Sequence, residues 1–195
     1  RMGAVAVRAT EAVGYEGAGT VEFLLAPDGE FWFLEMNTRL QVEHPVTELA
    51  TGIDLVRAQL AIAAGAGLPV EQEAVRLTGH AIECRIAAED PSRGFLPATG
   101  LIETCVEPSG PGVRVDSGVA AGSEVSSHYD PLLLKVIVHA RDREAALSRM
   151  SRALSELEIE GFPTNVSFQR ALVAHPGVRE GRFHTRWLEE RADEI

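Results

Sequence analysis

The stretch Thr20-Val-Glu-Phe-Leu-Leu-Ala-Pro-Asp-Gly-Glu-Phe-Trp-Phe-Leu-Glu-Met-Asn37 reads as two strands joined by a tight turn. Residues 20–26 alternate in strand fashion, Asp28-Gly29 is a two-residue hairpin signal, and Phe31 to Met36 form the return strand. Centring the turn on Asp28-Gly29 opposes Glu22 to Glu35, Leu24 to Phe33 and Thr20 to Asn37, all on one face because side chains alternate with period two. Directly opposed carboxylates have Cβ atoms about 5 Å apart, and like charges so placed are destabilising. Three arrangements relieve this: one glutamate is protonated, a cation sits between the two, or the face is solvated and the side chains splay apart. With the Asn37 amide oxygen added, the donors are all hard oxygens, which suit Mg²⁺ or Mn²⁺ better than Zn²⁺.

The next residues are Asn37-Thr-Arg-Leu-Gln-Val-Glu-His-Pro45. In an extended segment the odd spacing of Arg39, Gln41 and Glu43 projects all three to one side. A guanidinium fork with an amide donor suits a small planar oxyanion, and a carboxylate beside them can take its proton. Bicarbonate has that shape, charge and ionisable O–H. A solvated surface loop would account for such a triplet in isolation; its position directly after the paired glutamates favours a site.

Working outward, the chain has 195 residues, a net charge of −11 and 45% hydrophobic residues. That permits one large or two small globular domains and argues against nonspecific nucleic-acid binding. An anionic substrate needs local positive charge or a metal. Two cysteines, Cys84 and Cys105, make no disulfide framework and fit a reducing cytoplasm. No apolar run has the length of a membrane span. The chain opens at Arg1 inside a helical pattern, as expected of a piece of a longer protein.

The periodicities predict a helix ending near residue 13, the hairpin, a polar loop over 37–46, and a helix capped by Thr47 or Thr51 that runs through Ile53–Ala64. A linker follows, and a second unit starts near Leu77. Strands are expected at 79–88, 100–106, 112–116, 132–140 and 158–160, with a Pro- and Gly-rich loop over 89–100. In the first of them Ala81, Glu83 and Arg85 share one face. Helices are expected at Arg143–Glu156, capped by Asp142, and at 164–174 and 184–192. The fold class is α+β with a mostly antiparallel sheet, and the domains are 1–74 and 75–195.

These residues carry a family resemblance. Glu22-Phe-Leu, Phe33 to Arg39, Gln41 to Glu48, Thr51-Gly-Ile-Asp54, Gly79 to Ile86, Ala88-Glu-Asp-Pro91, Phe95-Leu-Pro97, Tyr129-Asp130 and Thr164-Asn-Val166 resemble biotin carboxylase, best the α chain of a biotin-dependent acyl-CoA carboxylase. The resemblance implies that residues 1–74 are the C-terminal part of an ATP-grasp domain and that 75–195 are the biotin carboxylase C-terminal domain. It implies carboxylation of carrier-bound biotin with ATP and bicarbonate through carboxyphosphate, which decomposes to CO₂ and phosphate. The resemblance further implies that this phosphate deprotonates biotin and that the resulting enolate attacks CO₂. Glu22, Glu35 and Asn37 match the Mg²⁺ (or Mn²⁺) site, with Glu22 and Leu24 at the nucleotide. Arg39, Gln41 and the Val42 N–H match the bicarbonate cradle, Glu43 the base, and Arg85 the arginine that faces the biotin ureido oxygen.

The implied partners are a biotin carboxyl carrier domain, a carboxyltransferase subunit and a second copy of the chain, with Arg114 at the family's dimer contact. No nucleic acid or membrane is implied. The glycine-rich ATP lid and a biotin-accepting Met-Lys-Met motif do not occur in these residues, so the 195 residues alone are expected to be inactive. The alternatives are a non-catalytic association module or another ATP-grasp carboxylase such as pyruvate carboxylase. His44 reads as a packing or hydrogen-bonding residue, Lys135 as a strand-edge lysine, and Cys84 as a buried apolar residue.

Overall fold

The computed structural model describes residues 1–191 and residue 194. Two expected ends, residue 192 of the last helix and residue 195 of the second domain, lie outside the described residues. The chain divides into two compact units, Arg1–Leu77 and Thr78–Ile195.

The first unit runs α1 (Met2–Ala12), β1 (Thr20–Leu25), β2 (Phe31–Asn37), α2 (His44–Thr51) and α3 (Leu55–Ala63), then a 3₁₀ turn at Gln72–Ala74. The β1–β2 hairpin does not close on two residues. Gly29 N–H donates to Ala26 C=O and Ala26 N–H to Glu30 C=O, so Pro27-Asp28-Gly29 forms a three-residue loop with Gly29 at φ 85°. This is a type I turn closed by a left-handed residue, favoured by Pro at its first central position. The Asp28 carboxylate accepts from Glu30 N–H at 3.0 Å and braces the loop.

Two helices replace the single one expected after the loop. The first begins at His44, inside the segment expected to be irregular, with Pro45 in its opening turn and Gly52 left-handed at its end. The second is capped by Asp54, whose side chain accepts from Arg57 N–H, and not by either threonine. Thr51 instead donates its hydroxyl to Thr47 C=O.

The second unit contains β3 (His80–Ala87), β4 (Glu89–Asp90), β5 (Leu96–Pro97), β6 (Gly100–Leu101), β7 (Thr104–Val106), β8 (Val113–Ser117), β9 (Glu124–Val125), β10 (Leu132–Ala140), α4 (Arg143–Glu156), β11 (Glu158–Glu160), α5 (Val166–Ala174), α6 (Pro176–Arg179) and α7 (Trp187–Glu190). Its centre is an antiparallel sheet in the order β3-β10-β8. Short antiparallel pairs β4–β5, β6–β9 and β7–β11 surround it. The architecture is α+β.

Alternation along the three central strands sorts the side chains. Ile82, Cys84, Ile86, Leu134, Val136 and Val138 join Leu147, Met150 and Leu154 of α4 in one apolar core. Asp142 caps α4 by accepting from Ala145 N–H at 2.8 Å. The opposite face carries Glu83, Arg85, Arg114, Asp116 and Lys135. Lys135 is therefore no edge residue: it lies in the middle strand and is 9% exposed. Gly79 enters β3 at φ 65° with its α-carbon against the Ala140 carbonyl, where a side chain would collide with backbone.

Candidate functional site

Strand pairing opposes Thr20 to Asn37, Val21 to Met36 and Glu22 to Glu35. Beyond Glu22 the register shifts, and Phe23 pairs with Phe33, Leu24 with Trp32 and Leu25 with Phe31. The extra residue is Leu34, a bulge that leaves two residues of one strand against one of the other. The expected partnership of Leu24 with Phe33 is thus corrected. Trp32 takes that place, and Phe33 turns to the other face, where its ring meets Phe23 edge-on at 6.5 Å. The three-residue loop moves the register by one and the bulge moves it back, so the glutamates still face each other.

The Asn37 amide sits between them. Its Nδ2 donates to Glu22 Oε1 at 2.8 Å and to Glu35 Oε1 at 3.4 Å. Both acidic groups thus converge on one polar point, and the donor hydrogens of an amide stand where positive charge is called for. Among the described residues no three His, Cys, Asp or Glu side chains gather into a metal cluster. The two carboxylates fit a hard divalent cation that draws its remaining ligands from phosphates and water, the habit of Mg²⁺. Asn37 turns its nitrogen to them and its oxygen to Arg39, so the amide oxygen joins that donor set only after a flip of the side chain.

Arg39 extends this group. Its Nη2 donates to Asn37 Oδ1 at 3.4 Å, and its Nη1 donates to Gln41 Oε1 at 3.1 Å and Leu40 C=O at 3.3 Å. With its oxygen engaged, Gln41 has its amide N–H groups to offer an anion. The segment does not stay extended to Glu43, as expected from the spacing. It turns at Val42-Glu43, where Gln41 C=O accepts from His44 N–H and Glu43 C=O from Val46 N–H. Glu43 is the N-cap position of α2, with an exposed side chain. His44 bonds through Nδ1 to Gln41 C=O at 2.9 Å. Leu24 lies two residues beyond Glu22 on the same face, exposed beside Trp32, which the sequence reading passed over.

Arg85 belongs to the second unit. Its side chain is 50% exposed, and its Nε stands 3.8 Å from Oε1 of Glu83, whose own side chain is only 4% exposed. Across the sheet Lys135 is the partner of both Arg85 and Asp116. Lys135 Nζ approaches Asp116 Oδ2 at 3.3 Å, and Arg114 grips the same carboxylate with two bonds of 2.7 and 2.9 Å. Partial burial by itself raises the Asp116 pKa, but the Arg114 hydrogen bonds and the charges of Arg114 and Lys135 outweigh it, and the net value is lowered. Burial, aided by the Glu83 charge, pushes the Cys84 thiol up to about 12, so this cysteine is chemically inert. Both cysteines are free. Among the described residues no helix is long and apolar enough to cross a membrane.

Residues 83–190 match the biotin carboxylase C-terminal domain, and residues 1–71 match the ATP binding domain of the carbamoyl-phosphate synthase L chain. The chain is 48% identical to biotin carboxylase of Nostoc sp. over 97% of its own length and 42% of that protein's. It is 47% identical to the mitochondrial methylcrotonoyl-CoA carboxylase subunit alpha of Rattus norvegicus, over 100% of its own length and 27% of that protein's. It therefore spans less than half the length of these curated relatives. The biotin carboxylase domain dimer of Hydrogenobacter thermophilus 2-oxoglutarate carboxylase, crystallised with MgADP, ADP and bicarbonate, superposes with a TM-score of 0.95. That structure shares 44% sequence identity over 99% of this chain and 43% of its own. The biotin carboxylase C-terminal domain model covers more than half of the residues, and the chain belongs to the biotin carboxylase family.

Proposed function

We propose that this chain contributes the metal-, bicarbonate- and biotin-facing residues of an ATP-dependent biotin carboxylase. Residues 1–74 serve as the C-terminal part of its ATP-grasp domain and residues 75–195 as its C-terminal domain. The observation that carries this is the opposed Glu22–Glu35 pair, bridged by Asn37 and continued by Arg39 and Gln41. Glu22, Glu35 and Asn37 would hold Mg²⁺ or Mn²⁺, and the ion would supply positive charge to the phosphate oxygens of ATP. Leu24 packs at the nucleotide base. Arg39, Gln41 and the Val42 N–H hold bicarbonate, and Glu43 accepts its proton, which makes the oxyanion nucleophilic toward the terminal phosphate of ATP. Arg85 faces the ureido oxygen of biotin and stabilises the charge that develops there when N1 loses its proton.

The partners are a carrier domain bearing biotin, a carboxyltransferase subunit and a second copy of this chain. The two free cysteines fit a reducing compartment such as the cytoplasm. The family membership and the dimeric relative crystallised with MgADP and bicarbonate support this reading. Its test is Glu43→Gln in the full-length protein. Bicarbonate-dependent ATP cleavage is expected to fall by about 10²-fold or more, the usual worth of a general base, with nucleotide affinity unchanged. Cleavage at the parent rate would remove Glu43 from the mechanism.

A further inference from the structure

Glu83 is a carboxylate in an expensive place. Both of its oxygens are shut off from solvent, and its cross-strand neighbour is the fully buried Ile137. Sequestering a carboxylate carries a large desolvation penalty, so its retention here calls for a task for its charge. Two residues along the same strand, on the same face, stands Arg85, with Nε 3.8 Å from Glu83 Oε1. Arg85 is half-exposed, and a guanidinium on a flexible stem at a surface samples many rotamers unless something orients it.

The backbone beneath Arg85 is held as closely. Asn165 occupies the N-cap position of α5 but makes no capping bond with its side chain. Its side chain is spent on β3 instead: Oδ1 accepts from Ala87 N–H at 3.0 Å, and Nδ2 donates to Arg85 C=O at 3.2 Å. Gln169, one helical turn later, donates to the same Arg85 carbonyl at 3.2 Å. One arginine thus has its main chain clamped by two amides and its side chain faced by a buried anion.

We infer that Glu83 is the positioning residue of Arg85, orienting the guanidinium for the biotin ureido oxygen, while Asn165 and Gln169 fix the strand from which it projects. Glu83 has this role only if Arg85 is the biotin-facing arginine proposed above. It does not touch biotin, ATP or bicarbonate itself. Loss of its charge should therefore damage biotin carboxylation and spare the earlier cleavage of ATP with bicarbonate.

The test uses the full-length enzyme with free biotin as acceptor, measuring biotin carboxylation and biotin-independent, bicarbonate-dependent ATP cleavage in parallel. Glu83→Gln keeps the size and removes the charge. It is expected to lower biotin carboxylation roughly tenfold to a hundredfold, mainly in kcat, as misplacement of a reacting group does. ATP cleavage should stay within about twofold, since no step of it involves a group that Glu83 orients. Adding Glu83→Gln to Arg85→Ala should cost nothing further, because the two residues act as one unit. Glu83→Asp, which keeps the charge but draws it back, should fall between parent and Glu83→Gln and serves if the latter does not fold. Equal loss of both activities would make Glu83 merely structural and overturn the inference. So would a normal Glu83→Gln beside a crippled Arg85→Ala, with the role of Arg85 left standing. If Arg85→Ala carboxylates biotin normally, the role of Arg85 falls, and that of Glu83 with it.

Discussion

Replacing Glu35 by glutamine should change the sign of its effect with the cation present. Without a divalent ion, Glu22 and Glu35 are opposed like charges on a solvated hairpin. At about 5 Å in water their repulsion is about 0.8 kcal/mol, within the range for like charges directly opposed on a sheet. Glu35→Gln removes it and sacrifices a charge-assisted contact to Asn37 that is long, at 3.4 Å, while the 2.8 Å bond from Asn37 to Glu22 stays. The metal-free variant should therefore be more stable than the parent, by about 0.5 kcal/mol after that loss. Two carboxylates and an amide without nucleotide should bind Mg²⁺ with a dissociation constant on the order of 1 mM, so about 10 mM Mg²⁺ stabilises the parent by about 1.4 kcal/mol. A tenfold weaker variant gains only about 0.4 kcal/mol, and the order of stability reverses. The assay is thermal unfolding of both proteins in EDTA and in Mg²⁺, at low and matched ionic strength because salt screens the repulsion. Loss of the free Mn²⁺ paramagnetic resonance signal gives an independent binding readout. Equal Mg²⁺ stabilisation of parent and variant would refute the cation site, whatever the EDTA result.

Three further outcomes are expected. Asp116→Asn should destabilise the protein by about 2 kcal/mol at neutral pH, the scale of hydrogen bonds to a charged group. Because the folded-state pKa of Asp116 is lowered, its contribution is complete above the ordinary aspartate pKa and is lost as pH falls through the lowered folded value. Urea unfolding of parent and variant should therefore converge in strong acid and diverge at neutrality; a gap that does not depend on pH would contradict the assignment. Cys84 should resist iodoacetamide in the native protein and react only after unfolding, whereas half-buried Cys105 should react slowly in the native state, both readable by peptide mass spectrometry. Gly79→Ala should cost about 2 kcal/mol or more, since φ 65° and the Ala140 carbonyl both oppose a side chain there. A thermal midpoint unchanged from the parent would mean that the entry to β3 can relax.

What was legible in the residues is what depends on short spacing. Helix α4, its Asp142 cap, strand β10 and the apolar face of β3 follow from period and capping alone. The facing of Glu22 and Glu35 was also legible, but only because two irregularities offset each other. Pro27 ahead of Asp28-Gly29 was the available signal for a three-residue loop. The Leu34 bulge has no such signal, since nothing in Phe-Leu-Glu marks which residue steps out of the ladder. The helix at His44 was missed although Pro45, a residue favoured in opening turns, stood in plain view.

Lys135 and Glu83 show a different limit. Alternation assigns a side chain to a face of its strand, but it is silent on which strands lie to either side. Lys135 is buried because β8 and β3 flank β10, an order that no local pattern encodes. Alternation puts Glu83 on the same face as Arg85, yet its burial depends on neighbours brought in by β10. The amides that hold the Arg85 carbonyl come from residues 165 and 169, on a helix 80 or more positions away. The groups proposed to hold the metal and bicarbonate lie between Glu22 and Glu43 and form a compact motif. The support of Arg85 is assembled by the sheet. A substitution scan guided by motifs alone would stop at Arg85 and leave Glu83, Asn165 and Gln169 untouched, although the geometry gives these three the task of keeping that arginine in place.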